Sequence, residues 1–150
     1  MQRCHPAFAD TQAPHHAAMG TYRLEILAPA VVEEDYQALL DSAPRLRGFM
    51  GGDWPEGLSL ADNRDDLAWH MKEFQANRSF AWVVRREDGR YQGCLYIFPR
   101  FMEDAADVII WARSDDDPER HEAAMADAAR DWLVPPLWPA VAYHLHLPGA

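Results

Sequence analysis

Ala106-Asp107-Val108-Ile109-Ile110-Trp111-Ala112-Arg113 is followed by Ser114-Asp115-Asp116-Asp117-Pro118 and then by a helical pattern to Leu133. The first eight residues are apolar on both alternating faces, which predicts a strand covered on both sides. Asp107, Ile109, Trp111 and Arg113 share one face; Val108, Ile110 and Ala112 share the other. Asp117 before Pro118 reads as an N-cap with proline at the first helical position. A strand running into a helix N-terminus is a place where backbone N–H groups and the helix dipole attract anions. Here the junction carries three aspartates in a row and no glycine. At about 5 Å and an effective dielectric of about 20, one such carboxylate opposes a phosphate charge by about 3 kcal/mol. The backbone geometry invites an anion and the side chains repel one.

The helix from Pro118 presents Met125, Ala128, Ala129 and Trp132 as its buried stripe. Glu119, Glu122, Asp127 and Arg130 are assigned to its outer face. Pro135-Pro136 ends it, and residues 141–147 form a last strand, with the strand–helix–strand unit over 106–147 expected as a parallel crossover. Upstream, Phe80 to Arg86 and Tyr91 to Phe98 are two strands joined around Asp88-Gly89, a hairpin signal. Phe80, Trp82 and Val84 face one side and Ala81 and Val83 the other; Cys94 and Tyr96 oppose Leu95 and Ile97. Pro99 is expected to end the second of these strands. Tyr22 to Leu27 alternates as a half-exposed strand. Glu33 to Leu40 is a helix expected to stop before Pro44. Ser59 caps a second helix with Asp62 as its capping-box partner. Leu60, Leu67, Met71 and Phe74 form that helix's apolar stripe, and it is expected to end near Asn77-Arg78. Between the helices, residues 44–58 hold two prolines and four glycines among Phe49, Met50 and Trp54, a loop expected to cover a pocket. Residues 1–20 lack periodicity and read as a flexible N-terminal arm, leaving 21–150 as one domain.

Composition narrows the functions. The chain has 150 residues, of which 49% are hydrophobic, enough for one domain with its own core. Its formal charge is −10, from 24 acidic and 14 basic residues, which argues against nucleic acid or an anionic membrane as partner. Cys4 and Cys94 do not suggest a disulfide framework. No apolar run is long enough to span a bilayer, and no signal core is evident, so a soluble cytoplasmic protein is the expectation.

The order strand, helix, helix, strand, strand, strand, helix, strand predicts an α/β (α+β) fold. Its central sheet is mixed and mostly antiparallel, with helices on both faces. That order resembles the GNAT-type (N-acetyltransferase) fold. Gly93-Cys94-Leu95-Tyr96-Ile97 resembles the family's third strand and Val108–Arg113 its fourth. The pattern from Trp54-Pro55 through Leu67-Ala68-Trp69-His70 to Gly93–Ile97 is similar to a bacterial GNAT-type subgroup with a degenerate pyrophosphate loop. The resemblance covers about residues 21–147.

It implies acetyl transfer from acetyl-coenzyme A to an amine of a small molecule or protein. It also implies that the fourth strand pairs with the pantetheine arm and that the helix from Pro118 receives the pyrophosphate. Ile109, Ile110, Trp111, Arg113, Ser114 and Arg120 are then the cofactor-binding candidates. Two departures stand out. Where the family has Gln/Arg-x-x-Gly-x-Gly/Ala, this chain has Arg113-Ser114-Asp115-Asp116-Asp117-Pro118-Glu119-Arg120. The frame also stops after the family's fifth strand. A non-catalytic GNAT-like binding module is therefore the alternative, and the strand after residue 140 offers an edge for a homodimer.

Other candidates remain open. Asp53 and Trp54 are expected on the acceptor side, Trp54 either stacking on an acceptor or anchoring the loop. His144 and His146 share a face of the last strand; His144 either meets an acceptor amine or sits on an exposed edge. A metal site there would need His70 or Asp107 as a third ligand, and no metal is assigned. No catalytic residue is singled out. Cys94 is read as an inert mid-strand thiol.

Overall fold

The computed structural model describes residues 4–114 and 117–149. The elements run β1 His16–Met19, β2 Tyr22–Ile26, α1 Val32–Leu46, α2 Leu60–Gln75, β3 Phe80–Arg85, β4 Tyr91–Arg100, β5 Ala105–Ala112, α3 Pro118–Trp132 and β6 Ala142–His146. The strands form one sheet in the order β1-β2-β3-β4-β5-β6. Every neighbouring pair is antiparallel except β5 and β6, which are parallel with α3 between them in sequence.

The period-two alternation sends the central strands into two cores. Leu24, Phe80, Trp82, Val84, Leu95, Ile97, Val108, Ile110 and Ala112 pack with Met125, Ala126 and Ala129 of α3. Ala81, Val83, Cys94, Tyr96 and Trp111 pack with Ala38, Leu39 and Leu46 of α1 and Leu67 of α2. The sheet is thus mostly antiparallel with helices on both faces. A Trp82, Trp132 and Trp138 cluster, with ring centroids 5.3 to 5.8 Å apart, fills the α3 side. Gly93 is required where β4 meets β5: a Cβ there would lie 1.9 Å from the Trp111 carbonyl oxygen.

Several local expectations are corrected. Helix α1 continues through Pro44 to Leu46. Proline there forfeits a bond to the Leu40 carbonyl, but Leu40 is exposed and the turn is the last, so water can serve it. Strand β4 runs past Pro99 to Arg100. Ser59 caps α2 by accepting the Asp62 N–H at 3.0 Å, as expected, but Leu60 is exposed and does not join the stripe. Asp117 makes no side-chain cap; it sits in the left-handed region at φ 37°, and its carboxylate accepts from Arg120 at 3.3 Å.

Residues 4–20 are packed on the domain. Phe8 is buried in the α3-side core, and β1 pairs with β2. The segment is held by its backbone carbonyls: the Asn77 amide donates to those of Phe8, Ala9 and Thr11, and Trp82 Nε1 donates to that of Pro14 at 2.8 Å. Such bonds leave no side-chain periodicity to read.

Candidate functional site

Beyond Ile109 and His146, the last paired residues of β5 and β6, strand β5 runs on to Ala112 paired with β4 alone. Arg113 N–H donates to the Gln92 carbonyl of β4 at 2.6 Å. By strand alternation the N–H and C=O of Ala112 face the other way, over the open edge. That edge is occupied. Ala112 N–H donates to Glu122 Oε2 at 2.9 Å, and Arg45 Nη1 donates to the Ala112 carbonyl at 3.3 Å. Arg45 Nη1 also donates to Glu122 Oε2 at 2.7 Å, and its Nη2 to Oε1 closes a bidentate pair. Arg45 comes from α1 and Glu122 from α3, on opposite faces of the sheet, and they meet around its edge.

Glu122, assigned by its charge to the outer face of α3, is only 2% exposed. It lies on the buried stripe with Met125, Ala126 and Ala129. The neighbouring α1 residues hold the rest of the junction. Ser42 Oγ accepts the Ser114 N–H at 3.0 Å, and Asp41 accepts from Arg113 Nε at 3.2 Å and Nη2 at 2.5 Å. The Arg113 guanidinium holds the Asp41 carboxyl below its ordinary pKa.

Ile110 and Trp111 are buried, the Trp111 ring lying in the α1–α2 core with its Nε1 donating to Tyr96 Oη at 3.0 Å. Ile109 is half-buried and lines a cleft of about 520 Å³ with Phe49, Phe98, Asp107, Leu145 and His146.

These residues do not fit the acetyl-coenzyme A that the resemblance implies. A pantetheine arm needs the free strand edge that Glu122 and Arg45 take. At the junction the N–H groups of Arg113 and Ser114 are already donated, to Gln92 and to Ser42. Arg113 and Arg120, the two cations expected to reach phosphate, are each paired with a carboxylate. Asp115 and Asp116 lie outside the described residues.

A second region lies on the α1–α2 side. A pocket of about 230 Å³ is walled by Trp54, Trp69, His70, Tyr96 and Phe98, with Asp35 and Asp66 also lining it. The loop between α1 and α2 supplies Met50 and Trp54. Gly48 N–H donates to the Trp54 carbonyl at 2.9 Å, folding the loop back on itself. Trp54 meets Trp111 edge-on at 6.5 Å, so it both anchors the loop and faces the pocket. Asp35 is only 2% exposed; it accepts from Asn63 Nδ2 at 2.8 Å, from Tyr91 Oη and from Cys94 Sγ at 3.7 Å. Burial raises its pKa and that of Asp66, and pushes the Tyr91, Cys94 and Tyr96 groups up. Burial lowers His70 to about 4, so its ring is neutral at pH 7.

Of the acceptor-side candidates, Trp54 reaches this pocket. Asp53 is 77% exposed and pairs with Arg47 at 3.4 Å. His144 is exposed on β6, opposite Asp107 in register. Its neighbour His146 is the histidine that meets Asp107, at 2.7 Å, while Asp107 is also bound by Arg100. Among the described residues no group of three His, Cys, Asp or Glu side chains could hold a metal ion, and no helix is long and apolar enough to cross a membrane. Asp35, Asn63, Ser42 and Arg45 were not singled out by sequence. For Asp35 and Ser42 the signal was spacing, since both recur with the apolar residues of α1.

No protein-family model matches the chain, and no curated protein matches it. Solved structures do. A ribosomal L7/L12 α-N-protein acetyltransferase in complex with coenzyme A is similar at TM-score 0.64 and 16% identity, over 78% of this chain and 66% of that one. A ribosomal-protein-S5-alanine acetyltransferase from Vibrio fischeri is similar at 0.63 and 12%, over 79% and 66%. A spermidine N-acetyltransferase from Vibrio cholerae, in complex with CoA and spermine, is similar at 0.57 and 12%, over 75% and 63%. The chain spans just under two thirds of the length of these proteins. Six strands in sequence order, the lone parallel pair β5–β6 and the position of α3 between them give this chain the fold of the GNAT N-acetyltransferases.

Proposed function

We propose that this chain is a binding protein for a compact organic amine, built on the acetyltransferase frame. The observation that carries the reading is the pocket beside Trp54: five aromatic or imidazole walls, two carboxylates and neither lysine nor arginine among its lining residues. Aromatic faces attract an ammonium by about 0.5–2 kcal/mol each, more where water is excluded. The neutral His70 adds no repulsion. At about 230 Å³ the pocket is smaller than those that take drug-sized ligands.

A second reading is acetyl transfer from acetyl-coenzyme A to that amine. It is favoured by the activities of the similar solved structures, which are acetyltransferases, and by one observation: Phe98 lines both the amine pocket and the cleft between β5 and β6. The occupied edge at Ala112 weighs against it.

Calorimetric titration with choline and with its neutral isostere 3,3-dimethylbutanol tests the charge requirement. Spermidine and a short peptide with a free N-terminus distinguish small-molecule from protein amines. A saturable signal is expected for at least one cation and not for the neutral isostere, and Trp54→Ala and Asp66→Asn should weaken it. Equal binding of choline and the isostere, or no binding by any cation, would overturn the reading.

A further inference from the structure

We infer that Glu122 and Arg45 form a built-in plug that excludes an extended amide ligand from the free edge of β5. Three observations carry it. Ala112 offers one N–H and one C=O outward at the end of β5, and both are taken, by Glu122 and Arg45 respectively. This reproduces the donor–acceptor pairing that an added strand, or any extended chain of amides, would make with that residue. The plug is also built rather than incidental: Glu122 is 2% exposed, and its carboxylate accepts Ala112 N–H and both Arg45 Nη groups. Finally, it reaches across from both helical layers, so the edge is closed from two sides at once. A strand edge left open is a template for pairing with other chains, and an edge closed by side chains is protected from it.

The consequence concerns ligand exclusion and is independent of charge at the anion site. A neutral diamide has nothing to fear from the aspartates of the junction, so the plug alone should keep it out. Pantetheine is such a probe: uncharged, extended and carrying two amides. The inference goes beyond the amine reading and fails separately from it, because this probe has no cation for the aromatic pocket.

The test is a ¹⁵N NMR titration of pantetheine into the wild-type chain and into the double variant Arg45→Leu with Glu122→Leu. The double variant removes both partners, so no charge is left buried alone, and its dispersed amide spectrum reports that it is folded. Binding at least roughly tenfold tighter in the double variant is expected, with saturable shifts at the Ile110 and Ala112 amides. Equally tight binding by wild type with the same shifts would overturn the inference, as would a folded double variant that binds no pantetheine. Should the double variant not fold, amide exchange in the wild type decides. Ala112 N–H should be protected comparably to Arg113 N–H, which is held by β4. Exchange of Ala112 at the rate of an unbonded amide would overturn the plug.

Discussion

Replacing Glu122 with alanine should destabilise the fold by about 4 kcal/mol. The magnitude follows from what the carboxylate leaves behind. Ala112 N–H loses its acceptor in a region where the Ala112 residue is buried, at a cost of about 1–3 kcal/mol. Arg45 loses both its bonds to carboxylate, and breaking a buried pair costs about 3–5 kcal/mol. The Arg45 side chain is 24% exposed, so its guanidinium can turn toward water and the total stays at the low end. Arg45→Ala should cost at least as much, because the 2%-exposed Glu122 side chain has no comparable path to solvent. Leucine at both positions should recover the part that comes from a stranded charge, leaving the cost of about 1–3 kcal/mol for the unpaired Ala112 N–H. Urea unfolding followed by tryptophan fluorescence gives all four free energies, provided the denaturant slope is unchanged. Single variants that each cost less than about 1 kcal/mol would mean that the pair is open in solution and that the β5 edge is not closed by it.

Other outcomes follow from the same geometry. His70 titrates near 4 in the fold against 6.5 ordinarily, so the unfolded chain binds the proton more tightly between those values. Its contribution is full above pH 6.5 and is lost as pH falls toward 4. Unfolding at pH 5 should show about 2 kcal/mol less stability than at pH 7 from this group, and His70→Phe should remove that part of the pH dependence. Gly93→Ala drives a Cβ into the β5 backbone and should prevent native folding, visible as loss of near-ultraviolet circular dichroism. Cys94 is fully buried with its thiol pKa pushed well up, whereas Cys4 is half-buried; a thiol reagent should find one reactive group in the native protein and two after unfolding.

The strands were the most legible part of the sequence. Alternation at Phe80, Trp82 and Val84 against Ala81 and Val83 placed each residue in the correct core, because a two-residue period admits no other arrangement in a covered sheet. Helical positions were read less well where charge and spacing disagreed. Glu122 recurs with Met125, Ala126 and Ala129 on one face, yet its charge suggested solvent; the partner that permits its burial, Arg45, lies 77 residues away. Asp35 is the same case, its donors Asn63 and Tyr91 lying 28 and 56 residues off. Pro44 misplaced a helix end because proline is tolerated in a last turn. The packing of residues 4–20 depends on the side chains of Asn77 and Trp82 binding main-chain carbonyls, an interaction with no local signature. Of the candidate site, the glycine-rich loop and Trp54 were readable as pocket cover. The aspartates at 115–117 marked the junction as unusual, but the residues that close the β5 edge were legible only in three dimensions.

Glu122 and Arg45 hold the strand edge at Ala112 that the pantetheine arm of acetyl-coenzyme A would need. Calorimetric titration of the wild-type chain with acetyl-coenzyme A at moderate salt tests this most directly. No saturable heat is expected up to millimolar cofactor, and a dissociation constant in the micromolar range would mean that the edge is open to it.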